Sequence, residues 1–328
     1  TGIVGASVTI LGIMAGKTMI RTGYDTRLSA GLICAGGTLG ILIPPSIMLV
    51  VMGPVLEIPV TDLFAAAIMP GILLACLYAA YTTLRCYLNP KLGPVLPANE
   101  QPTNMAKVWY EFIMGLIPPA GLVFFALGSI LFGLATPTEG AGMGAFGAIL
   151  LALAYKKLTL PGLKDALLKT LEITALIMFL VAASNFFGAV FSKLGTPSLL
   201  TDFLLNLEVN RYVILAIIMA AIFLLGWPLE WVPIVLIVLP IVLPLVIELG
   251  FNLTWFAILV AVNLQTAWLS PPVALSAYFL KGVVPEWDLK DIYLGMMQFM
   301  VIQVIGLVLI IIFPKIALWL PGVMYPSP

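Results

Sequence analysis

Histidine is absent from the 328 residues and charge is scarce, with 15 basic and 15 acidic side chains making up 9% of the chain. A soluble globular domain carries about 25% charged residues. The missing histidine removes the commonest metal ligand and the usual near-neutral proton shuttle. Cysteine is nearly missing too: Cys34, Cys76 and Cys86 lie in apolar surroundings at unrelated spacings. They read as small buried hydrophobes rather than as metal ligands or disulfide partners. No G-x-x-x-x-G-K-[ST] stretch occurs, so a nucleotide-driven motor is unsupported. No nucleophile-base pair stands out, which argues against an enzyme, and neither a cofactor nor a nucleic-acid partner is expected. No secretory signal is visible, and the chain opens at Thr1 without an initiator methionine, so a longer natural protein is expected.

What is abundant is apolar: 62% of the residues are hydrophobic, and the mean hydropathy is +1.15. Several runs exceed the roughly 20 apolar residues that span a bilayer. They are continuous rather than alternating, which excludes a β-barrel. The fold class is therefore an all-α polytopic membrane protein, with the lipid bilayer as its first partner.

Two stretches break the pattern. GGTLGILIPPSIM, Gly36–Met48, sits in a segment long enough to cross yet contains Pro44-Pro45. LQTAWLSPPVALS, Leu264–Ser276, repeats the device with Pro271-Pro272. A proline inside a helix removes an i−4 hydrogen bond and costs about 3 kcal/mol. In hydrocarbon such a break is tolerated only where protein or a water-filled cavity receives the freed carbonyls. Pro44 and Pro271 lie 227 positions apart, and the turns RTGYD (21–25) and ELGFN (248–252) align at the same offset. Each copy reads as a short arm, a glycine turn, a broken helix over 28–53 or 254–280, and a further crossing.

Between them, Thr61 and Asp62 are expected to cap a helix running to about Leu88, followed by a proline-rich loop over 89–104. Crossings are expected over 108–133, from the Thr136-Pro137-Thr138-Glu139 start to Tyr155, over 165–192 and over 291–313. A short amphipathic linker should precede the arms 211–226 and 232–247. If alternate crossings follow the turn at 21–27, one side receives Lys17, Arg21, Arg27, Arg85, Lys91, Lys107, Lys156, Lys157, Lys164, Lys169, Lys281 and Lys290. The other receives only Lys193, Arg211 and Lys315. The positive-inside rule makes the first side cytoplasmic, so turn 21–27 is cytoplasmic and the C-terminus periplasmic. Gly23 and Gly250 then fall on opposite sides, so the copies are inverted, the pattern of a secondary transporter.

The arms Gly5–Met19 and Val232–Ile247, about 15 residues each, fall short of a span. They read as arms of re-entrant hairpins with tips at Gly2–Ser7 and Gly226–Trp231, or as ordinary short helices joined at the far surface; charge counting does not separate the two. As hairpins they would face the breaks and enclose a polar pocket. Unwound carbonyls and helix C-termini suit Na⁺, and helix N-termini suit a substrate carboxylate. The first copy offers Ser7, Thr9, Gly36, Gly37, Thr38, Pro44, Pro45 and Ser46, with Na⁺ placed at Ser7, Gly37 and Thr38. The second offers Gly226, Glu230, Asn263, Gln265, Thr266, Ser270 and Pro271, with Na⁺ placed at Glu230, Thr266 and Ser270. Glu230 is an intramembrane carboxylate by this reading and a functional candidate by default, or else a surface residue at an ordinary turn. Asn185, mid-span, either reaches the pocket or bonds a neighbouring helix.

GGTLGILIPPSIM, the upstream GASVTILG, the RTGYD turn, GLATPTEG and NLQTAWLSPPVAL closely resemble the large membrane subunit of TRAP (tripartite ATP-independent periplasmic) transporters. The resemblance covers nearly the whole chain. It implies a bacterial inner-membrane, Na⁺-coupled importer of elevator type. It also implies a small four-helix membrane subunit, a periplasmic substrate-binding protein, and organic-acid substrates such as C4-dicarboxylates, 2-oxo acids and sialic acids. Family members begin with several scaffold helices, whereas this chain opens at a hairpin tip. The expected organisation is a first transport unit (1–53), connecting and scaffold helices with a cytoplasmic loop at 89–107 (54–210), a second transport unit (211–281) and a C-terminal scaffold helix and tail (282–328). Residues 62–88, 108–155 and 291–313 are assigned to the scaffold. A stand-alone Na⁺/dicarboxylate carrier shares the same inverted-repeat logic, and a channel would also use broken helices.

Overall fold

The computed structural model describes residues 2–95, 104–206, 209–271 and 274–325, and all regular structure among them is helical. In chain order the helices are α1 (Val4–Leu11), α2 (Lys17–Arg21), α3 (Thr26–Thr38), α4 (Ile47–Leu56), α5 (Val60–Leu88), α6 (Met105–Leu131), α7 (Pro137–Ala154) and α8 (Leu160–Lys193). They continue as α9 (Thr196–Leu205), α10 (Arg211–Leu225), α11 (Trp231–Pro233), α12 (Leu239–Glu248), α13 (Leu253–Gln265), α14 (Leu275–Val283), α15 (Leu289–Ile312) and α16 (Lys315–Met324). Six described helices are long and apolar enough to cross a membrane: α5, α6, α7, α8, the run Trp231–Glu248 and α15. The chain is a multi-pass α-helical membrane protein.

The chain divides into two compact units, one of Thr1–Val95 with Ala183–Pro328 and one of Leu96–Ala182. In the smaller, α6 and α7 meet through small residues, as membrane helices do without a hydrophobic force between them. A Cβ on Gly147 would lie 2.3 Å from Leu122, and one on Gly140 would lie 2.5 Å from Ile130. The Tyr155 hydroxyl donates to the Met114 carbonyl at 2.8 Å. Helix α7 starts with the expected capping box, in which Thr136 accepts from the Glu139 amide at 3.3 Å and Glu139 accepts from the Thr136 amide at 2.8 Å.

The larger unit carries the repeat, and the 227-residue offset between Pro44 and Pro271 holds from the arm ends through the broken helices. The first arm ends at Arg21 and its counterpart at Glu248. Each arm contains one π turn, Gly12–Gly16 and Ile234–Val238. Gly23 and Gly250 then adopt left-handed φ values of 75° and 69°, which glycine reaches without penalty. Asp25 and Asn252 cap the next helices, accepting from the amides of Leu28 at 2.8 Å and Trp255 at 2.9 Å. Helices α3 and α13 have 13 residues each, and a 3-10 turn follows each, Leu39–Ile41 and Thr266–Trp268.

The copies also exchange contacts. Helix α1 and its π turn pack on α14, where glycines admit Phe279, Val283 and Val284: Cβ atoms on Gly5, Gly12 and Gly16 would approach these side chains to 2.8, 2.7 and 2.6 Å. In the counterpart pair, α12 and the π turn before it pack on α4. Likewise α3 packs on α15 and α13 on α5. The α3/α15 crossing is the tighter, because Gly31 and Gly295 face each other; a Cβ on Gly295 would lie 2.0 Å from the Arg27 carbonyl oxygen. The equivalent residues on the other side are Ile258 and Ile68. Helices α5 and α15 thus lie directly against the broken helices.

Some boundaries differ from those expected. Helix α5 is capped by Pro59, with Thr61 and Asp62 inside its first turn, because proline pre-sets the helical entrance without needing a side-chain cap. The linker before residue 211 contains α9, which starts after a left-handed Gly195 with Pro197 in its first turn. Helix α8 starts at Leu160, five residues before the expected crossing; Thr159 accepts from the Gly162 amide at 3.2 Å, which starts it early. A further helix, α16, resumes after Pro314 interrupts the ladder.

The Gly295 crossing yields a stability test. Gly295→Ala should lower the thermal unfolding temperature in detergent, since backbone has to move; overpacking costs about 1–3 kcal/mol even where only side chains give way. Gly322→Ala, with nothing within 4 Å of its Cβ, should leave it unchanged.

Candidate functional site

The proline pairs dictate the local chemistry. Pro44 and Pro45 have no N–H, so the carbonyls four residues earlier, Gly40 and Ile41, lose their helical donors. Both find replacements. The Gly2 amide, just before α1, donates to the Gly40 carbonyl at 3.1 Å. The Ser46 hydroxyl donates to the Ile41 carbonyl and accepts from the Leu49 amide at 3.3 Å, capping α4. The Pro44–Pro45 peptide bond is cis. Helix α1 sits against the break because Gly37 has no side chain: a Cβ there would lie 2.3 Å from Val8.

The second copy repeats the arrangement. The Trp268 carbonyl, equivalent to that of Ile41 at the 227 offset, would lack a donor opposite proline 272. It accepts from the Ser276 hydroxyl instead. Ser276 is not the positional equivalent of Ser46, so the same role is filled from three residues further on. Gly226, at the tip after α10, would place a Cβ 3.1 Å from Ala267 of the 3-10 turn. Pro272 lies outside the described residues.

The remaining predicted residues distribute as follows. Thr38 is buried and donates to the Ala35 carbonyl at 2.8 Å. Half-buried Ser7 donates to the Ile3 carbonyl at 3.2 Å, and Thr9 on the same helix is half-buried. Gly36 lines a cleft of about 300 Å³ between α3 and α5 with Tyr78 and Thr82. Pro44 is buried, Pro45 exposed and Pro271 half-buried. Thr266 donates to the Asn263 carbonyl at 2.6 Å and Ser270 to the Thr266 carbonyl at 2.7 Å. Asn263 ties α13 to the hairpin, donating from Nδ2 to the Met219 carbonyl of α10 at 2.7 Å. Glu230 is exposed at the start of α11, its carboxylate accepting no capping N–H. No hydrogen bond joins it to Thr266 or Ser270 among the described residues. Asn185 lies on the exposed surface of α8.

Three of these hydroxyls, Thr38, Thr266 and Ser270, spend their proton on a carbonyl one helical turn back. Their oxygens therefore keep only acceptor capacity, which matches a hard cation with neutral oxygen ligands. No group of three or more Cys, Asp or Glu occurs among the described residues, so a thiolate or carboxylate cage is not formed there.

Two residues outside the sequence-derived set join the second break to α5 and α15. The Tyr78 hydroxyl of α5 donates to Gln303 Oε1 of α15 at 3.0 Å. Gln303 Nε2 donates to Gln265 Oε1 at 2.6 Å and to the Val262 carbonyl at 2.9 Å. A buried polar chain thus runs from Tyr78 of α5 through Gln303 of α15 to Gln265 at the second break. The signal available beforehand was a glutamine inside the long apolar helix α15, since polar side chains at such depth need a partner.

The family described as "Tripartite ATP-independent periplasmic transporter, DctM component" matches residues 1–316. The large permease protein of a C4-dicarboxylate TRAP transporter from Pseudomonas aeruginosa is 29% identical over 97% of this chain and 73% of its own length. A putative TRAP transporter large permease from Haemophilus influenzae is 31% identical over 90% of this chain and 69% of its own length. The large permease of a sialic acid TRAP transporter from Vibrio cholerae is 28% identical, covering 95% and 71%. A multi-pass helical protein with paired helix breaks and a match along nearly all of its length is a transport component rather than an enzyme, and the chain belongs to the DctM family of TRAP transporter large permeases.

Proposed function

We propose that the chain is the carrier subunit of a Na⁺-coupled, binding-protein-dependent importer of small organic acids in the bacterial inner membrane. The observation that supports this best is the pair of breaks, 227 residues apart, in which hydroxyl protons go to carbonyls and leave acceptor oxygens for Na⁺. Two of the named relatives carry acids in their titles, a C4-dicarboxylate and sialic acid. No lysine or arginine lies within either break, 36–48 or 264–276. An anion there would be balanced by the co-bound cation and by neutral donors.

In this reading α10 is one arm of a re-entrant hairpin. Its 15 residues reach about 22 Å at 1.5 Å per residue, short of a roughly 30 Å hydrocarbon core. The two hairpin and broken-helix units carry substrate and ion together past a scaffold. Turn 21–27 faces the cytoplasm and the C-terminus the periplasm. A small four-helix membrane subunit and a periplasmic protein that delivers the acid complete the transporter.

Proteoliposomes holding the natural full-length protein, its small subunit and a candidate binding protein should accumulate acid only with an inward Na⁺ gradient. Uptake that ignores the binding protein would identify a stand-alone carrier instead, and currents far above carrier turnover a channel. Glu230→Gln should insert normally yet slow this uptake; unchanged Na⁺-dependent transport would remove Glu230 from the site.

A further inference from the structure

Four buried side-chain polar atoms have no partner among the described residues, and two of them lie at the second break: Gln265 Nε2 and Trp268 Nε1. Gln265 is fully buried and Trp268 is 9% exposed. A buried N–H left unpaired costs about 1–3 kcal/mol, so two such groups within one turn call for an acceptor. They are three residues apart, Gln265 just before the 3-10 turn Thr266–Trp268 and Trp268 at its end, the spacing at which side chains of a 3-10 helix eclipse and share a face.

The direction of the Gln265 amide follows from its neighbours. Backbone carbonyl oxygens only accept, so the Gln303 atom 2.9 Å from the Val262 carbonyl is nitrogen. The other end of that amide is then oxygen, and it accepts from the Tyr78 hydroxyl at 3.0 Å. The Gln265 atom facing Gln303 Nε2 at 2.6 Å must be oxygen in turn. Gln265 therefore turns its N–H away from the chain, and it cannot rotate without setting nitrogen against nitrogen. A bare N–H repels a cation, so this point of the second break is built for an anion or a carbonyl.

We infer that Gln265 Nε2 and Trp268 Nε1 form a neutral donor pair for an oxyanion of the transported acid, and that Tyr78 and Gln303 are positioning residues that hold the glutamine in donor orientation. This rests on the carrier function proposed above and deepens it by assigning the anion to the second break. Donation from two neutral groups suits a site without lysine or arginine, because the acid is held without an ion pair that would have to be broken for release.

The test compares uptake of succinate, N-acetylneuraminate and isethionate by the full-length transporter in proteoliposomes, with each acid's binding protein supplied. For whichever acid the wild type carries, Gln265→Glu and Trp268→Phe should each raise KM about tenfold or more, the size expected for a lost hydrogen bond to a charged group. The Na⁺ concentration for half-maximal rate, read at saturating acid, should stay unchanged. Gln303→Leu should raise KM similarly, and Gln303→Glu, which keeps the shape but cannot donate to Gln265, should not rescue it. Thr170→Val, on the exposed surface of α8 where its hydroxyl donates to the Ala166 carbonyl at 2.8 Å, is the control. A wild type that carries none of the three acids defeats the carrier reading. Wild-type transport with unaltered KM in Gln265→Glu and Trp268→Phe overturns the donor pair alone, as does a shift in Na⁺ dependence without one in KM. If a variant does not insert, the paired substitution Gln265→Leu decides by the same readout.

Discussion

Every prolyl nitrogen within an apolar helix leaves a carbonyl that water would pair and hydrocarbon cannot. That constraint governs the arrangement around both breaks. The Gly40 carbonyl draws the segment before α1 onto the first break through the Gly2 amide. The Ile41 and Trp268 carbonyls take serine hydroxyls from across the interruption. Gly37 must then lack a side chain, since α1 and the break come within contact of each other. Breaks placed this way cost little in lipid, and they leave exposed to a ligand only the groups that were not needed for repair.

The repeat supplies this geometry twice, but the chemistry of the two copies has diverged. Asp25 and Asn252, Gly23 and Gly250, and the two 13-residue helices correspond closely. At the 3-10 turns they part: the first has Thr38 where the second has Gln265. The first break presents hydroxyl oxygen, and the second adds amide and indole N–H groups. The α3/α15 crossing is closed by glycines, while its counterpart carries Ile258 and Ile68.

Much of the fold was legible in the sequence because membrane segments, turn glycines and proline pairs are local signals. The offset between Pro44 and Pro271, the aligned turns at Gly23 and Gly250 and the Thr136 capping box needed no tertiary information. Helices α9 and α16 were missed since 10 residues of mixed polarity look like a linker. In the site, the break residues were visible by their composition. Tyr78 and Gln303 were not, because their role is set by which helices pack together: one lies in α5, the other in α15, and neither belongs to a motif. The direction of the Gln265 amide was beyond sequence altogether, since it depends on a backbone carbonyl in its own helix and a tyrosine 187 positions earlier, as 265 − 78 gives.

In the proposed carrier, coupling follows from the absence of basic residues at the breaks. A carboxylate moved from water into a low-dielectric pocket loses several kcal/mol of solvation, and Na⁺ does the same. The breaks themselves neutralise neither, because residues 36–48 and 264–276 offer hydroxyls, amides and carbonyls but no charged side chain. Bound together, each ion offsets part of the other's penalty, through an attraction that strengthens as the pocket excludes water. Linkage makes this reciprocal: the acid raises the affinity for Na⁺ by the same factor as Na⁺ raises that for the acid. An arginine in the pocket would have weakened the dependence by supplying the countercharge permanently. In the proposed carrier, the poverty of charge that marks this sequence from the outset is thus the source of its energy coupling.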